Sequence, residues 1–490
     1  MPTEKVLVTR EKLDNLANAI SDKSGEPVPM TIDEMIDAVE GISGGGSEVE
    51  EKDVCFWDYD GTLVATYSAV EFANLTNTPN NPSHEGLIAE GWNWSLEDAK
   101  TYVADYGCID IGQMYRTASG KTEVDITIPD VNFKLYMFLS KYSFGTITVD
   151  WGDNSPIETY TSETYLYLPH VYSLAGNYTI MIDGLNNSTY RLRGSTSSCG
   201  FMQDAAVFSS GTRAANCVTA IRMGVRGECQ TGAFYKCSNI RYVTLYSTDD
   251  YSYSLSEGVF SRCTSLKHVT IPNGVYDLQS YTFQNSGIQS VSLPVSSRFT
   301  NNRTGLFSDC RSLKRCCIPP DSLVLPGAIF SGCRALKKVV IPNSITTFSG
   351  GSWFTYCDSL TELHLPNSIT TISAGQGFAY SGIYKTNIPT GLSSLPASMF
   401  DYCYSLHKLT IPDNFTSIPS NFWYNVIYIE ELHMQATTPP IVQTSSFSTF
   451  VSGVSTIYVP YSADHSVLEA YKTADNWSSW ASYMVEEEPE

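Results

Sequence analysis

VFSRCTSLKHVTIP, Val259 to Pro272, recurs along the chain with its spacing kept. AFYKCSNIRYVTLY begins at Ala233, TFQNSGIQSVSLP at Thr282, LFSDCRSLKRCCIP at Leu306 and IFSGCRALKKVVIP at Ile329. WFTYCDSLTELHLP begins at Trp353, GFAYSGIYKTNIP at Gly377 and MFDYCYSLHKLTIP at Met399. The anchor phenylalanines Phe234, Phe260, Phe283, Phe307, Phe330, Phe354, Phe378 and Phe400 are 22 to 26 residues apart. Degenerate lines end at Met434 and Pro460. The alternation of Leu266, Val269 and Ile271 predicts a short strand with these side chains inward. Pro272 ends it, because proline cannot donate to a continuing ladder. One such unit cannot bury its own apolar face, so the units must stack into a solenoid.

Working outward from the repeat, six of the thirteen cysteines fall at one place in it: Cys237, Cys263, Cys310, Cys333, Cys357 and Cys403. Two shortened lines carry Ser286 and Ser381 there instead. A thiol that serine replaces is a small core residue rather than a metal ligand or redox group. No C-x-x-C pair occurs, so neither a metal nor a cofactor is expected. On each strand the residue before the inward Val or Ile points outward. His268, Arg315, Lys338, Lys385 and Lys408 occupy that place, with Lys267, Lys314 and Lys337 one residue earlier. Tyr242, Ser290 and Glu362 interrupt the column. Stacked coils would align these cations into a basic stripe, the candidate binding site for an anionic cell-surface polymer such as teichoic acid.

The pattern F-x-x-C-x-x-L-x-x-I-x-I-P resembles the BspA-like leucine-rich repeats over about residues 215–460. The ending resembles the caps of that family, with IYVP followed by a short helix bearing Tyr471, Trp477 and Trp480. The resemblance implies a curved binding surface, commonly in extracellular adhesion, and no catalysis.

The expected fold is modular and mainly β with short helices. Residues 1–43 read as a helical hairpin, with Leu13, Leu16, Ala17 and Ile20 at helical spacing and a capping box at Thr31–Glu34. LDNLANAISDKSGEPVPMTIDEMIDAVEGI resembles a helical module near the start of many tail and fibre proteins of phages infecting Gram-positive bacteria. Residues 44–52 read as a Gly-rich acidic linker, and 53–125 as a small α/β block similar to segments of phage-encoded repeat proteins. Residues 126–190 alternate as strands. Their Asp150-Trp151-Gly152-Asp153, His170-Val171-Tyr172 and Gly176-Asn177-Tyr178-Thr179 resemble the PKD-type immunoglobulin-like sandwich. The solenoid is assigned to 191–460 and a cap with an acidic tail to 461–490.

Phe56–Leu63, FWDYDGTL, resembles the first motif of haloacid-dehalogenase-type phosphatases, with Asp58 as nucleophile and Asp60 as general acid. The lysine and the late acidic pair that this chemistry needs do not follow in an α/β context. Asp150 and Asp153 sit in the W-G-D turn instead. A hairpin turn at Asp60-Gly61 is the expected structure, and no enzyme is expected.

Thirty basic against 51 acidic residues leave a formal charge of −21. That opposes nucleic-acid binding and adsorption to anionic lipid. No run of 18 apolar residues predicts a membrane span. MPTEKVLVTREKL lacks the apolar region of a signal peptide. These readings lead to a phage virion protein, tail-associated or a capsid fibre or decoration protein, assembled in the host cytoplasm and exposed on the particle. Its expected partners are other virion proteins, through residues 1–43, and a bacterial surface polymer or glycan, with a homo-oligomer, such as a trimer, as the assembly. The alternative is a bacterial surface or secreted leucine-rich-repeat adhesin. The phosphatase is the remote alternative.

Overall fold

The computed structural model describes residues 52–487 apart from 142–144, 162–163, 186–188, 195–200, 204–212, 225–226, 247–252, 301–302, 374, 420–421, 423–425, 427–428, 444–454 and 476. The helical hairpin expected at 1–43, the linker as far as residue 51 and the end of the acidic tail lie outside the described residues. Asp53–Glu490 form one compact unit.

The unit begins with β1 (Val54–Trp57), β2 (Leu63–Tyr67), helix α1 (Ala69–Ala73), β3 (Leu87–Trp92), α2 (Leu96–Tyr106) and β4 (Ile109–Thr117). They form a four-stranded sheet in the order β2-β1-β4-β3. β1 and β2 pair as the expected hairpin. Its turn closes through the Asp58 amide on the Thr62 carbonyl at 2.9 Å. Ser68 and Glu71 cap α1 reciprocally, and Ser95 caps α2.

Next come β5 (Thr122–Ile128), β6 (Phe133–Lys141), β7 (Thr146–Asp150), β8 (Glu158–Tyr160), β9 (Tyr165–Tyr172) and β10 (Gly176–Leu185). β11 (Tyr190–Leu192) and β12 (Met202–Gln203) join β6, so this part of the fold reaches past residue 190. The inward residues of β5, β7 and β10 share one core with those of β6 and β9. At its corner Trp151 is fully buried and stacked on His170 at 4.4 Å, and the Tyr172 hydroxyl donates to the Trp151 carbonyl. Gly152 has φ +75°, and a Cβ there would meet the Thr179 carbonyl at 2.4 Å.

The first solenoid strand, β13 (Val218–Arg222), pairs antiparallel with β5 on one side and parallel with Tyr242–Thr244 on the other. One sheet therefore runs from β8 through β5 and β13 into the coil strands His268–Thr270 and Ser290–Ser292. Arg222 locks the seam by a two-pronged ion pair to Asp125 at 2.8 and 2.7 Å and a third bond to Glu123. The expected spacer is thus fused to the solenoid by β-pairing rather than set apart from it.

The phenylalanine register of the repeat becomes a column. Phe234 to Phe400 are fully buried, and successive rings stack with centroids 5.4 to 5.7 Å apart. Phe201 meets one end edge-on at 79° and Phe422 the other at 89°. The cysteines line up beside them. Cys263, Cys310, Cys333, Cys357 and Cys403 each donate to the carbonyl of the phenylalanine one coil back, at 2.9 to 3.2 Å. At the far end α3 (Ser466–Thr473) and the strand Met484–Glu486 close the stack. There the Tyr471 hydroxyl reaches the Ala436 carbonyl and the Trp477 indole reaches the Pro440 carbonyl.

Candidate functional site

The outward face of the coil strands carries the candidate site residues. The structure divides it in two. Over the first coils, β4 lies across the strands Tyr242–Thr244, His268–Thr270, Ser290–Ser292 and Arg315–Cys317. Gly112 makes this approach possible, because a Cβ there would stand 2.2 Å from the Thr270 hydroxyl. Asn93 donates to the Ile271 and Ser292 carbonyls, each at 3.1 Å, and accepts from the Gly112 amide. The Trp94 indole donates to the Leu293 carbonyl at 2.7 Å, and the Tyr102 hydroxyl to Ile318 at 2.7 Å.

This cover corrects the expected stripe. The column is in register: Arg315 is paired with Lys338, and Lys385 with Lys408. It is not a continuous exposed line. His268 is 1% exposed. It sits under Trp57, stacked at 5.6 Å, and its two ring nitrogens face the Ser290 and Thr270 hydroxyls. Burial lowers its pKa from 6.5 to about 4, so the ring is neutral near neutral pH. Arg315 is 8% exposed and grips Asp110 of β4, with Nε at 2.7 Å from Oδ2 and Nη2 on Oδ1. Burial alone would lower its pKa, and the Asp110 carboxylate more than reverses this. The Trp57 indole satisfies Asp110 further, at 2.6 Å. Both residues are seam contacts and present nothing to an outside partner.

The cover ends at the next strand, where Val340 is still buried in the core of the β1–β4 block and the Tyr106 hydroxyl accepts from the Asn343 amide; beyond it the face opens. Lys338 is exposed and lies 3.8 Å from Asp53. Lys385 is exposed, and Lys408 pairs with Glu431 at 2.8 Å. That hydrogen bond raises the Lys408 pKa and lowers that of Glu431. His433 bridges Glu487 at 2.6 Å and Glu431 at 3.4 Å. These side chains line a shallow cleft of about 290 Å³ that mixes both signs of charge. Lys267, Lys314 and Lys337 are exposed at the strand entries, outside the footprint of β4.

The phosphatase-like aspartate is engaged in packing. Asp58 is 3% exposed and accepts from the Tyr115 hydroxyl at 2.9 Å, the Tyr59 amide at 2.8 Å and the His84 ring at 2.7 Å. Asp60 accepts from the Thr62 amide within the hairpin turn, and Asp153 is paired with His170 on another sheet. Among the described residues no cluster of three or more acidic, His or Cys side chains could hold a metal. No helix among them is long and apolar enough to cross a membrane.

Asp110, Asn93 and Trp94, which decide what the face can bind, were not singled out from the sequence for that role. The available signals were a glycine in the middle of a strand, two residues after an Asp, and a polar Asn between two tryptophans.

Residues 228–353 and 324–452 match the BspA type leucine rich repeat region, in six copies. Among solved structures, a leucine-rich repeat protein from Bacteroides ovatus is 22% identical over 40% of this chain and 61% of its own, with a TM-score of 0.26. A leucine rich cell surface protein from Faecalibacterium prausnitzii is 18% identical over 59% of this chain and 94% of its own, with a TM-score of 0.26. The pneumococcal vaccine antigen PcpA is 18% identical over 55% of this chain and 67% of its own, with a TM-score of 0.28. No curated protein matches.

Proposed function

We propose that this chain, whose residues 228–452 are a BspA-type leucine-rich-repeat region, is a non-enzymatic recognition protein that displays its solenoid to a bacterial surface. The observation that carries this reading is the contrast along one face of the solenoid: its first coils are sealed by β4, while the outward positions from Glu362 onward are open. A stiff array of parallel strands holds side chains at a fixed pitch, which suits repetitive surface polymers. The repeat type favours a bacterial surface leucine-rich-repeat protein, anchored or secreted.

A second reading, a phage virion protein on tail or capsid, is favoured by one observation: the resemblance of Leu13–Ile42 to the attachment module of phage tail and fibre proteins. In it, residues 1–43 bind other virion proteins and the copies form a homo-oligomer. Both readings give the solenoid the same task. The buried corner of Trp151, His170 and Tyr172 supports a PKD-type spacer in either case. Catalysis is assigned to neither, since Asp58 is already committed to Tyr115 and His84.

The test is adsorption of the fluorescently labelled full chain to a panel of Gram-positive cells, with turnover of a phosphate monoester measured in parallel. Adsorption without turnover is expected. Turnover without adsorption to any cell overturns the reading. Cofractionation of the chain with phage particles rather than with cell envelopes selects the virion form.

A further inference from the structure

One backbone position is left-handed in each of the eight coils anchored by Phe234 to Phe400. It lies two residues after the anchor phenylalanine, and its φ is between 55° and 79° in all eight coils. Its amide is tied to the neighbouring coil, as in Asn285 to Ser308 at 2.8 Å and Tyr356 to Ala379 at 3.0 Å. The conformation is therefore fixed by the stack, whatever side chain stands there. Glycine and asparagine suit it, and Gly332 and Asn285 show that the coils accept them. Bulky aromatic residues are the least suited.

Three consecutive coils nevertheless place tyrosine at this position: Tyr356, Tyr380 and Tyr402. Their rings stack in parallel, 4.9 and 5.1 Å apart, with interplanar angles of 8° and 13°. Tyr404 stands across the end of the row, at 68° to Tyr380 and 79° to Tyr402. Tyr356 is 43% exposed and Tyr404 41%. This strip runs along the turn edge of the solenoid and is separate from the strand face. A locally disfavoured side chain, kept in register over three coils at the surface, points to a role other than stability.

We propose that this tyrosine ladder is a binding strip for a neutral polysaccharide. The inference rests on the surface-recognition reading above and names the ligand class. Phenol groups repeating about every 5 Å along a rigid axis offer one apolar edge and one hydroxyl per step, the pairing that tyrosine brings to wet interfaces. Such side chains are costly neither to order nor to hydrate, having two side-chain torsions each. Periodicity suits a polymer rather than a protein surface. Charge selects an uncharged one. The chain carries a formal −21. Arg334, over Tyr356 at 5.9 Å, is already paired with Asp358 at 3.0 Å. In the first two coils the same column carries Lys236 and Arg262, so the repeat uses cations at this position elsewhere.

The experiment compares the full chain with the variant Y356N/Y380N/Y402N/Y404S on the cells to which the full chain adsorbs. The neutral and the anionic polysaccharide fractions of their walls serve as competitors. The variant is expected to keep or raise its melting temperature, because Asn suits the left-handed backbone. It is expected to lose about tenfold or more in adsorption. The neutral fraction should compete, and added salt of about 0.5 M should leave binding intact. A second variant, Y356F/Y380F/Y402F, keeps the stack and removes only hydroxyls. Its adsorption should fall while its stability does not, which holds the test open if the first variant melts early. Equal adsorption of all three proteins, or competition by the anionic fraction alone, overturns the strip while leaving surface recognition standing. Failure of the unmodified chain to adsorb to any cell overturns both.

Discussion

The two halves of the solenoid share one repeat and use it in opposite ways. In the first, outward strand residues such as His268 and Arg315 are buried beneath β4 and satisfied by protein groups. In the second, Lys338, Glu362 and Lys385 occupy the same outward positions and meet solvent. The difference teaches that position in a repeat fixes where a side chain points. It does not fix what the side chain meets. A charge in the first half is a structural element whose removal unbalances a buried pair, and a charge in the second is a surface property.

The sharpest way to break that comparison is to remove Asp110. Asp110→Ala leaves the Arg315 guanidinium buried without its carboxylate, a change that typically costs about 3–5 kcal/mol. The loss is expected in urea unfolding at neutral pH. Glu431→Ala, which frees Lys408 on the bare half, should cost no more than about 1 kcal/mol. Equal costs would mean that the cover does not exclude water from the pair.

Protonation of His268 tests the same seal. Its folded pKa, about 4, lies below the ordinary 6.5. The unfolded chain therefore takes up the proton first as pH falls. The stabilisation from the neutral ring is full above pH 6.5, is lost between pH 6.5 and about 4, and amounts to roughly 3 kcal/mol over that window. His268→Gln should flatten this part of the stability profile. A wild-type profile already flat from pH 6.5 to 4 would place His268 in water.

The thiols draw the same boundary more gently. Cys263, Cys310, Cys333, Cys357 and Cys403 each face a backbone carbonyl, and burial raises their pKa values. Cys108 and Cys317 differ. Their sulfurs are 3.6 Å apart across the seam, and the hydrogen bond from Cys317 lowers the Cys108 pKa to about 7. Diamide, taking two electrons and two protons from the pair, is expected to form this disulfide alone in the native protein. The product should be more stable by about 2 kcal/mol, the low end of the usual range and below the chain-entropy limit for so long a loop, because the folded seam must close in from its resting sulfur separation. Peptide mapping with a repeat cysteine in the bridge would show that the Phe–Cys column opens.

The halves were not equally legible in the sequence. The period of the phenylalanines, the alternation of Leu266, Val269 and Ile271, and the serine substitutions at Ser286 and Ser381 are local signals, and they specify the solenoid and its buried column. The same local rules gave the hairpin at Asp60-Gly61. What they do not carry is contact between distant segments. Asp110 and Arg315 are 205 residues apart, and Asn93 and Ser292 are 199 apart. No periodicity links such pairs, so an arginine aligned with lysines reads as one of them. The left-handed tyrosines were hidden for a related reason: their strangeness is a backbone angle, which the letters do not show.

The smallest expected effect bears most directly on function. A basic stripe tested by reversing every cation of the column at once would give an uninterpretable loss, since Arg315→Glu places two carboxylates together in the seam. Confined to the bare half, the test is clean. Lys338→Gln and Lys385→Gln remove exposed charges without setting a second carboxylate beside Asp53, which lies 3.8 Å from Lys338. Such changes shift stability by about 0.5 kcal/mol or less. Any change in adsorption then reports recognition and not unfolding. If the open lysines meet an anionic polymer, adsorption should weaken both in this double variant and in wild type as salt rises. If adsorption stays at the wild-type level and is insensitive to salt, the open lysines only solvate the sheet edge, and recognition falls to the uncharged tyrosine strip on the turn edge. Salt weakens binding at the lysines and leaves binding at the strip unchanged, so one titration of the unmodified chain already divides them.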